Sequence, residues 1–221
     1  MSLDFGSIFQ YWPFLLNALG VTLLLSTASI LCGLAIGLVL GTWRAYGGPV
    51  ARAVLAFYID SVRSIPILVV IIWTYFALPL LVGLSLQPMA AGIVALAFHL
   101  GAYAAEVVRA GLLSVRGGQL RAGLALGMSR PQAIRFIVLP QALIRMMPPF
   151  GSLIVIAVKD SAIASVIAVP ELMHQSQLLA GITYRPFEIF TVAMVLYFVV
   201  LYPIARGTDR LYRKLAHLGA S

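Results

Sequence analysis

The sequence predicts an all-α membrane protein with five transmembrane helices and one sizeable loop. Hydrophobic residues make up 62% of the 221 residues and the mean hydropathy is +1.01, whereas soluble domains are about 45–50% apolar. A chain of this length holds about five spans of roughly 20 residues and has no room for a second, soluble domain.

Five apolar segments can be placed along the chain. The first follows the aromatic-rich residues 5–15, which are typical of a short segment in the outer membrane interface. The second is the shortest and has a charged approach from about Phe57. The turn at 83–88, before the third, carries no charge. The predicted spans are residues 16–42, 66–82, 89–108, 148–168 and 189–205.

Basic residues predict the orientation, because loops rich in Lys and Arg stay in the cytoplasm. Of the 15 Lys and Arg residues, two follow the first segment, six lie between the third and fourth, and four follow the fifth. We therefore expect the N-terminus outside and the C-terminus inside. Residues 1–15 would be an extracytoplasmic or interfacial segment, 16–206 the membrane domain and 207–221 a cytoplasmic tail.

The formal net charge of +8 needs no nucleic acid partner. Cationic cytoplasmic loops beside anionic lipid headgroups produce the same balance. Residues 1–10 contain Asp4 and no basic residue, so we expect no cleavable signal peptide and an insertion signal in the first span. The single Cys32 indicates no disulfide, and we expect no metal site.

The loop at residues 109–145 holds six arginines and no acidic residue. Gly117 and Gly118 are expected to break the helix that leaves the membrane. Residues 119–126 are then good helix formers that end at Gly127. The pattern predicts a short helix lying parallel to the membrane.

Ser129 can cap the next helical turn, which has Pro131 near its start. A helix of two turns is marginal alone, so a partner that accepts Leu120, Leu124 and Ala125 would stabilise the short helix before it. An ordinary basic loop at the lipid surface is the alternative, and the residues alone leave both open.

Ordered runs along nearly the whole chain carry a family resemblance. They are residues 101–111 (GAYAAEVVRAG), 118–119 (GQ), 125–129 (ALGMS), Gln132 and 137–142 (IVLPQA), with 58–60 (YID), Arg63, Pro66, 159–161 (KDS), 171–172 (EL) and 186–188 (PFE). Together they resemble the polar amino acid permeases of bacterial ABC importers, the histidine, glutamine and glutamate-aspartate permease family.

The resemblance implies a type I importer permease in the bacterial inner membrane, with five membrane helices per subunit. Its partners would be a second permease, identical or related, two cytoplasmic ATPases and an extracytoplasmic substrate-binding protein. This chain has no Gly-x-x-x-x-Gly-Lys-[Ser/Thr] loop to cradle phosphates. We therefore expect ATP and Mg²⁺ on the partner ATPase, no cofactor in this chain and no enzymatic activity of its own.

In that family the short loop helix seats in a cleft of the ATPase. The residues that would make this contact are Gly118, Gln119, Arg121, Ala122, Leu124, Gly127 and Ser129. The family's loop usually has Glu-Ala-Ala where this chain has Arg121-Ala122-Gly123. The reversed charge should change the ATPase residue that it faces, and Gly123 weakens the helix by up to about 1 kcal/mol relative to alanine.

A charged side chain inside a membrane span costs free energy, so charged residues there are functional candidates. Lys159 is expected near the middle of the fourth span, with Asp160 beside it. Adjacent helical residues point about 100° apart, so a zwitterionic amino acid could give each a partner, with Ser161 next to them. The alternative is that both bond to neighbouring helices or to the second subunit.

Arg63 is a further substrate candidate, because its planar guanidinium suits a carboxylate. Pairing with Asp60 within the helix is its alternative. For Glu106 and Arg109 we favour a helix-end pair that holds the loop. His99 could line the transport path, but for it we favour a hydrogen-bonded packing role.

We expect the substrate to be a polar amino acid, and we favour glutamate and aspartate. Residues 62–66 (VRSIP), followed by Trp73, Tyr75 and Pro79, look more like glutamate-aspartate permeases than the commoner Arg-Gly-Thr-Pro form. An importer permease for another small polar solute, such as a compatible solute, is the alternative. An intramembrane hydrolase would need His99 with Ser152 or Ser161, and no spacing supports it.

Overall fold

The computed structural model describes residues 5–115 and 117–216, which are helical along most of their length and contain no strand. Arg116 of the arginine-rich loop lies outside the described residues. So do residues 1–4 and 217–221 of the two predicted end segments.

Ten α-helices follow one another along the described part of the chain, after a 3₁₀ helix at Gly6–Tyr11. They are α1 (Trp12–Tyr46), α2 (Pro49–Ser64), α3 (Ile67–Ile72), α4 (Leu78–Val82), α5 (Pro88–Ser114), α6 (Gly117–Ala125), α7 (Arg130–Ala133), α8 (Leu139–Asp160), α9 (Leu172–Thr183) and α10 (Pro186–Ala216). π-Helical turns at Trp73–Ala77 and Ile134–Val138 join α3 to α4 and α7 to α8, and a 3₁₀ helix at Ser161–Ile167 continues α8.

Four helical stretches in the described residues are long and apolar enough to cross a membrane. They are Ile8–Tyr46, Pro88–Ser114, Arg130–Ile167 and Pro186–Lys214. The pair Pro49–Ser64 and Ile67–Val82, bent by 101°, makes a fifth if it is counted as one span. The predicted all-α membrane fold is confirmed.

In the structure, helix precedes the predicted starts of two spans, the second and the fourth. The charged approach to the second span belongs to α2, and the chain then bends because Pro66 has no N–H and holds Ile65 in an extended conformation. The fourth span was predicted from residue 148, but the helix continues back through Pro148 and Pro149. Arg135 and Arg145 interrupt the apolar run there, although the chain stays helical.

The helix α9 was not predicted, because 12 residues are too few to cross a membrane. It packs against the start of the chain. Ile8 and Leu15 are buried in one cluster with Leu172, Leu179 and Ile189, so the predicted interfacial segment at 5–15 is partly covered. Phe9 in the same segment is 72% exposed.

The most extensive helix contact among the described residues joins α1 to α5. Small residues on α1, at Gly33, Gly37 and Gly41, face α5. A Cβ atom at Gly37 would lie 2.4 Å from the Ala104 Cβ, and one at Gly41 would lie 2.4 Å from the Ala105 carbonyl oxygen. Only glycine permits this approach of the two backbones.

The packing clusters define two ends of the bundle. At one end Ala45, Val115, Val138 and Met146 pack together with the partly buried Leu120, so the end of α1, the end of α5 and the loop helix meet. At the other end lies the cluster of Ile8 and α9. The arginine-rich loop is therefore at the opposite end from the start of α1.

Replacing Gly37 with alanine should destabilise the subunit by about 1–3 kcal/mol, because the new methyl group meets the backbone of α5. Gly20→Ala is the matched control, since a Cβ there meets nothing within 4 Å. It should be neutral or stabilising by up to about 1 kcal/mol. Thermal unfolding of both variants in lipid tests this, and equal melting temperatures would contradict the proposed close packing.

Candidate functional site

The loop helix α6 begins earlier than predicted. Val115 ends α5 in an extended conformation, and Gly117 and Gly118 are the first residues of α6 instead of a break before it. The sequence predicted the break in the helix at these two glycines, whereas in the structure α5 ends at Val115.

A Schellman motif ends α6. Gly127 has φ +81°, and its N–H donates to the Leu124 carbonyl at 3.1 Å while the Met128 N–H donates to the Gly123 carbonyl at 3.1 Å. These two bonds satisfy carbonyls that the helix end leaves free. The predicted stop at Gly127 is confirmed.

Gly123 is buried against the next part of the loop. A Cβ there would lie 2.7 Å from the Ile137 Cδ1 and 3.1 Å from the Ala133 Cβ. Ile137 belongs to the π-helical turn before α8, so α6 rests directly on the base of α8. Gly123 therefore has a packing role beside its cost in helix propensity.

The seven residues predicted to contact an ATPase share one property, which is exposure to solvent. They are Gly118, Gln119, Arg121, Ala122, Leu124, Gly127 and Ser129. Leu120, expected to be received by a partner, instead packs within this chain. Leu126 is 81% exposed and is an apolar surface residue that the sequence reasoning did not single out.

Hydrogen bonds fix both sides of the loop. Ser129 and Gln132 form a capping box at the start of α7, with the Ser129 N–H donating to the Gln132 Oε1 at 2.8 Å. The predicted Ser129 cap is confirmed. Across the loop, the Arg145 guanidinium donates to the Ser114 carbonyl at the end of α5. The loop is therefore held by α5 and α8 together.

A cavity of about 170 Å³ lies between α5 and α8. Three polar side chains line it, and the remaining lining is apolar. The polar residues are His99, Tyr103 and Asp160, and the apolar ones are Leu96, Leu100, Leu153, Ile156 and Ala157. A small apolar cavity with a few convergent polar groups is the usual form of a ligand site.

Lys159 does not line this cavity. It ends α8 together with Asp160, where the chain tightens into the 3₁₀ helix, and is not in the middle of the fourth helix as predicted. Its side chain is exposed and no ion pair with Asp160 is present. The expectation that the two side chains diverge is confirmed.

An open groove of about 380 Å³ runs along the other side of α8, between α8 and α10. Ser152, Val155 and Ile156 line it from α8, and Asp209 lines it from α10. Ile156 lines both the groove and the cavity. Lys159 and Asp160 follow Ile156 by three and four residues, so both lie on the same side of α8 as Ile156.

The other two substrate candidates differ in their partners. The buried Ser161 hydroxyl donates to the Val158 carbonyl at 2.8 Å. Arg63 lies with its guanidinium 5.1 Å from the centre of the Tyr103 ring and with Nη1 3.9 Å from Asp60, and its buried Nε has no hydrogen-bond partner among the described residues. Arg63, Lys159, Asp160 and Ser161 therefore do not meet at one point.

An ion network joins the C-terminal parts of α1, α2 and α5. Arg44 donates to Glu106 at 2.7 Å and lies 3.6 Å from Asp60. Arg109 binds both oxygens of the same Glu106, at 2.5 and 3.0 Å. The predicted Glu106–Arg109 pair is confirmed, and Arg44 extends it to a neighbouring helix.

A buried carboxylate organises the opposite end. Glu171 is fully buried and caps α9, accepting hydrogen bonds from the N–H groups of Met173 and His174 and from the Tyr197 hydroxyl. Burial raises the pKa of the Glu171 carboxyl, and these three donors oppose the rise. The neighbouring Leu172 N–H donates to Thr22 of α1 at 3.0 Å.

Within residues 5–115 and 117–216, no group of three or more His, Cys, Asp or Glu side chains is placed to hold a metal ion.

Sequence reasoning missed Tyr103 as a site residue, and for His99 it favoured a packing role over a place on the transport path. His99 does pack, but it also lines the cavity with Asp160. The i, i+4 spacing of His99 and Tyr103 on an otherwise apolar helix was the available signal.

Comparison with known proteins identifies relatives over nearly the full length. Residues 33–216 match the family described as binding-protein-dependent transport system inner membrane component. The glutamine transport system permease protein GlnP of Escherichia coli (strain K12) is 37% identical over 216 residues, 97% of this chain and 99% of that protein.

Two further similarities agree with this match. The probable glutamine ABC transporter permease protein GlnP of Bacillus subtilis (strain 168) is 38% identical over 205 residues, 91% of this chain and 94% of that protein. A crystal structure of an amino acid ABC transporter with histidines has a TM-score of 0.89 and 31% identity, covering 97% of this chain and 100% of that chain.

Glu106→Gln should destabilise the subunit by about 3 kcal/mol, since it removes the shared partner of Arg44 and Arg109 from a partly buried site. Asp60→Asn is the control. Its side chain is 59% exposed and its contacts are longer, so the loss should stay below about 1 kcal/mol. Thermal unfolding in lipid measures both, and a larger loss for Asp60→Asn would refute this ranking.

Proposed function

Because this chain belongs to the family of binding-protein-dependent transport system inner membrane components and is an amino acid ABC importer permease, we propose that it carries glutamine or a similar polar amino acid. The observation that carries the proposal is the match, over more than 90% of the chain, to two permeases named for glutamine. An ATPase and a binding protein act with such a permease, and the chemistry of ATP takes place on the ATPase.

Two residues are proposed to hold the substrate backbone. Asp160 receives the α-ammonium group from the cavity side, and Lys159 receives the α-carboxylate from the groove side. The support is that Asp160 lines the cavity and that both residues follow, by one helical turn, Ile156, which borders both spaces. We call this part of α8 the substrate ridge. Charge-assisted hydrogen bonds of this kind contribute about 1.5–3 kcal/mol each.

The lining of the cavity favours a neutral substrate side chain. The lean towards glutamate and aspartate depended on Arg63 and Lys159 both facing the path. Arg63 contacts Asp60 and the Tyr103 ring and is not part of the cavity lining, which presents a carboxylate and an imidazole but no Lys or Arg. A second substrate carboxylate would lack a cationic partner there, whereas an amide can bond to His99 or Tyr103. A compatible solute is not favoured by the relatives.

The exposed face of α6 is proposed to dock in the ATPase. All seven predicted contact residues are exposed, and Leu124 and Leu126 add apolar area. Because α6 packs through Gly123 on the base of α8, closure of the ATPase would move α8 and the substrate ridge with it. The mechanism is rigid-body alternating access between two permease subunits.

We also propose the predicted orientation, with the N-terminus outside and the C-terminus in the cytoplasm of a bacterial cell. The support is that the loop helix, the end of α1 and the arginine-rich residues share one end of the bundle, while the start of α1 and α9 share the other.

The cargo is tested by ATPase activity of the complex in lipid with its binding protein, titrated with glutamine, glutamate and arginine. We expect glutamine to stimulate at the lowest concentration. Stimulation by glutamate alone would overturn the proposed cargo and leave the importer assignment standing.

Lys159→Gln and Asp160→Asn should each weaken binding of radiolabelled glutamine to the complex by about 10–100-fold, which corresponds to one charge-assisted bond. Lys214→Gln, the same change at an exposed lysine of α10, is the control and should bind as the parent does. Unchanged binding in both site variants would remove these residues from the substrate site.

Gly127→Ala should weaken docking of the ATPase by about tenfold, because a left-handed residue other than glycine costs about 1–2 kcal/mol and unwinds the end of α6. Gly117→Ala lies in the same helix with open space at its Cβ, and should leave docking unchanged. The ATPase fraction that co-purifies with the permease is the readout, and equal fractions would argue against docking through α6.

A further inference from the structure

The bend between α2 and α3 leaves backbone carbonyls without helical donors. A helix ends with up to four such carbonyls, and Pro66 contributes no N–H to them. The Ile65 N–H donates to the Val62 carbonyl at 3.3 Å. The carbonyls of Arg63 and Ile65 therefore need donors from elsewhere, since an unpaired carbonyl away from water is costly.

Two side chains of α5 supply these donors. The Tyr103 hydroxyl donates to the Arg63 carbonyl at 3.1 Å, and the His99 Nε2 lies 3.3 Å from the Ile65 carbonyl. Since a carbonyl only accepts, Nε2 carries the proton in this contact. The two rings lie one helical turn apart, with centroids 5.2 Å from each other. Together they hold the end of α2 against α5.

The same two side chains line the cavity that faces Asp160. A polar solute in that cavity competes with the Arg63 and Ile65 carbonyls for the Tyr103 hydroxyl and the His99 Nε2 proton. A carbonyl that loses its donor is destabilised unless the bend changes to satisfy it. Occupancy of the cavity and geometry of the bend are thus linked through two hydrogen bonds.

The bend is also connected to the ion network. Arg63 stacks on Tyr103 and contacts Asp60, which Arg44 shares with Glu106. A change at the bend therefore reaches the C-terminal parts of α1 and α5 through direct contacts. Beyond the bend, Ile67–Val82 forms one helical run that contains a π-helical turn.

We propose that His99 and Tyr103 are positioning residues that couple filling of the cavity to the angle between α2 and α3. We name this pair the bend clasp. The inference rests on the proposed function, because glutamine or a similar amino acid is taken to be what fills the cavity.

The test measures the bend directly. Spin labels are placed on cysteines at Val54 of α2 and Leu80 of α4, which are 62% and 86% exposed, after the exposed Cys32 is replaced by serine. Distances are recorded by double electron–electron resonance on the complex in nanodiscs, with and without saturating glutamine. We expect glutamine to shift the distance distribution of the parent.

Tyr103→Phe keeps the ring and removes only the hydroxyl, so it should broaden the distribution without glutamine and abolish the shift. Tyr75→Phe makes the same change in the π-helical turn, outside the clasp and the cavity lining, and should shift as the parent does. His99→Gln, which keeps a donor, should retain the shift, whereas His99→Leu should lose it. This rescue separates hydrogen bonding from mere packing.

Binding of radiolabelled glutamine to the same samples separates two failures. If the parent binds glutamine and its distances do not shift, or if Tyr103→Phe and His99→Leu shift like the parent, the bend clasp is overturned and the proposed function stands. If the parent complex binds no glutamine, the proposed cargo is overturned and the clasp with it.

Discussion

The close contact between α1 and α5 is the constraint on which the remaining structure depends. In a bilayer, helices gain little from hydrophobic burial against one another, so tight van der Waals contact between small residues must hold them together. Gly37 and Gly41 allow the two backbones to approach until a single methyl group would not fit. With α1 and α5 locked in this register, the polar side chains beyond each end of the contact are placed within bonding distance.

The two polar networks lie at opposite ends of that contact and differ in kind. At the end near the arginine-rich loop, Arg44 reaches Glu106 and the pairing is between full charges that are partly exposed. At the end near α9, Thr22 reaches the Leu172 N–H, and the buried Glu171 is satisfied by neutral donors alone. Each network ties α1 to a segment distant in sequence. Backbone groups that would be costly in an apolar medium are thereby paired.

Hydropathy and basic residues predicted the all-α membrane fold, because these signals are local and strong. Local capping chemistry likewise predicted the stop at Gly127 and the cap at Ser129. Contacts between distant segments were beyond such reasoning. Nothing local to Tyr103 indicates that its hydroxyl meets the carbonyl of a residue 40 positions away, and α9 is too short to register as a span.

At the substrate site too, local geometry was predictable from the sequence and contacts between distant segments were not. The angle between adjacent helical residues predicted that Lys159 and Asp160 diverge. Which of them faces a cavity depended on where α5 lies, and that depends on the glycine contact with α1. Arg63 was a reasonable carboxylate ligand by chemistry alone, but its partner Tyr103 comes from another helix. The resemblance supplied the family; it did not supply this geometry.

The burial of Gly123 against Ile137 limits how loops can be exchanged between related transporters. A chimera that received only the usual Glu-Ala-Ala in place of residues 121–123 would press an alanine methyl against the Ile137 side chain and the Ala133 methyl. A graft of this loop must therefore include the residues at both positions, 123 and 137. Among descendants of a common ancestor, enlargement of one should accompany reduction of the other.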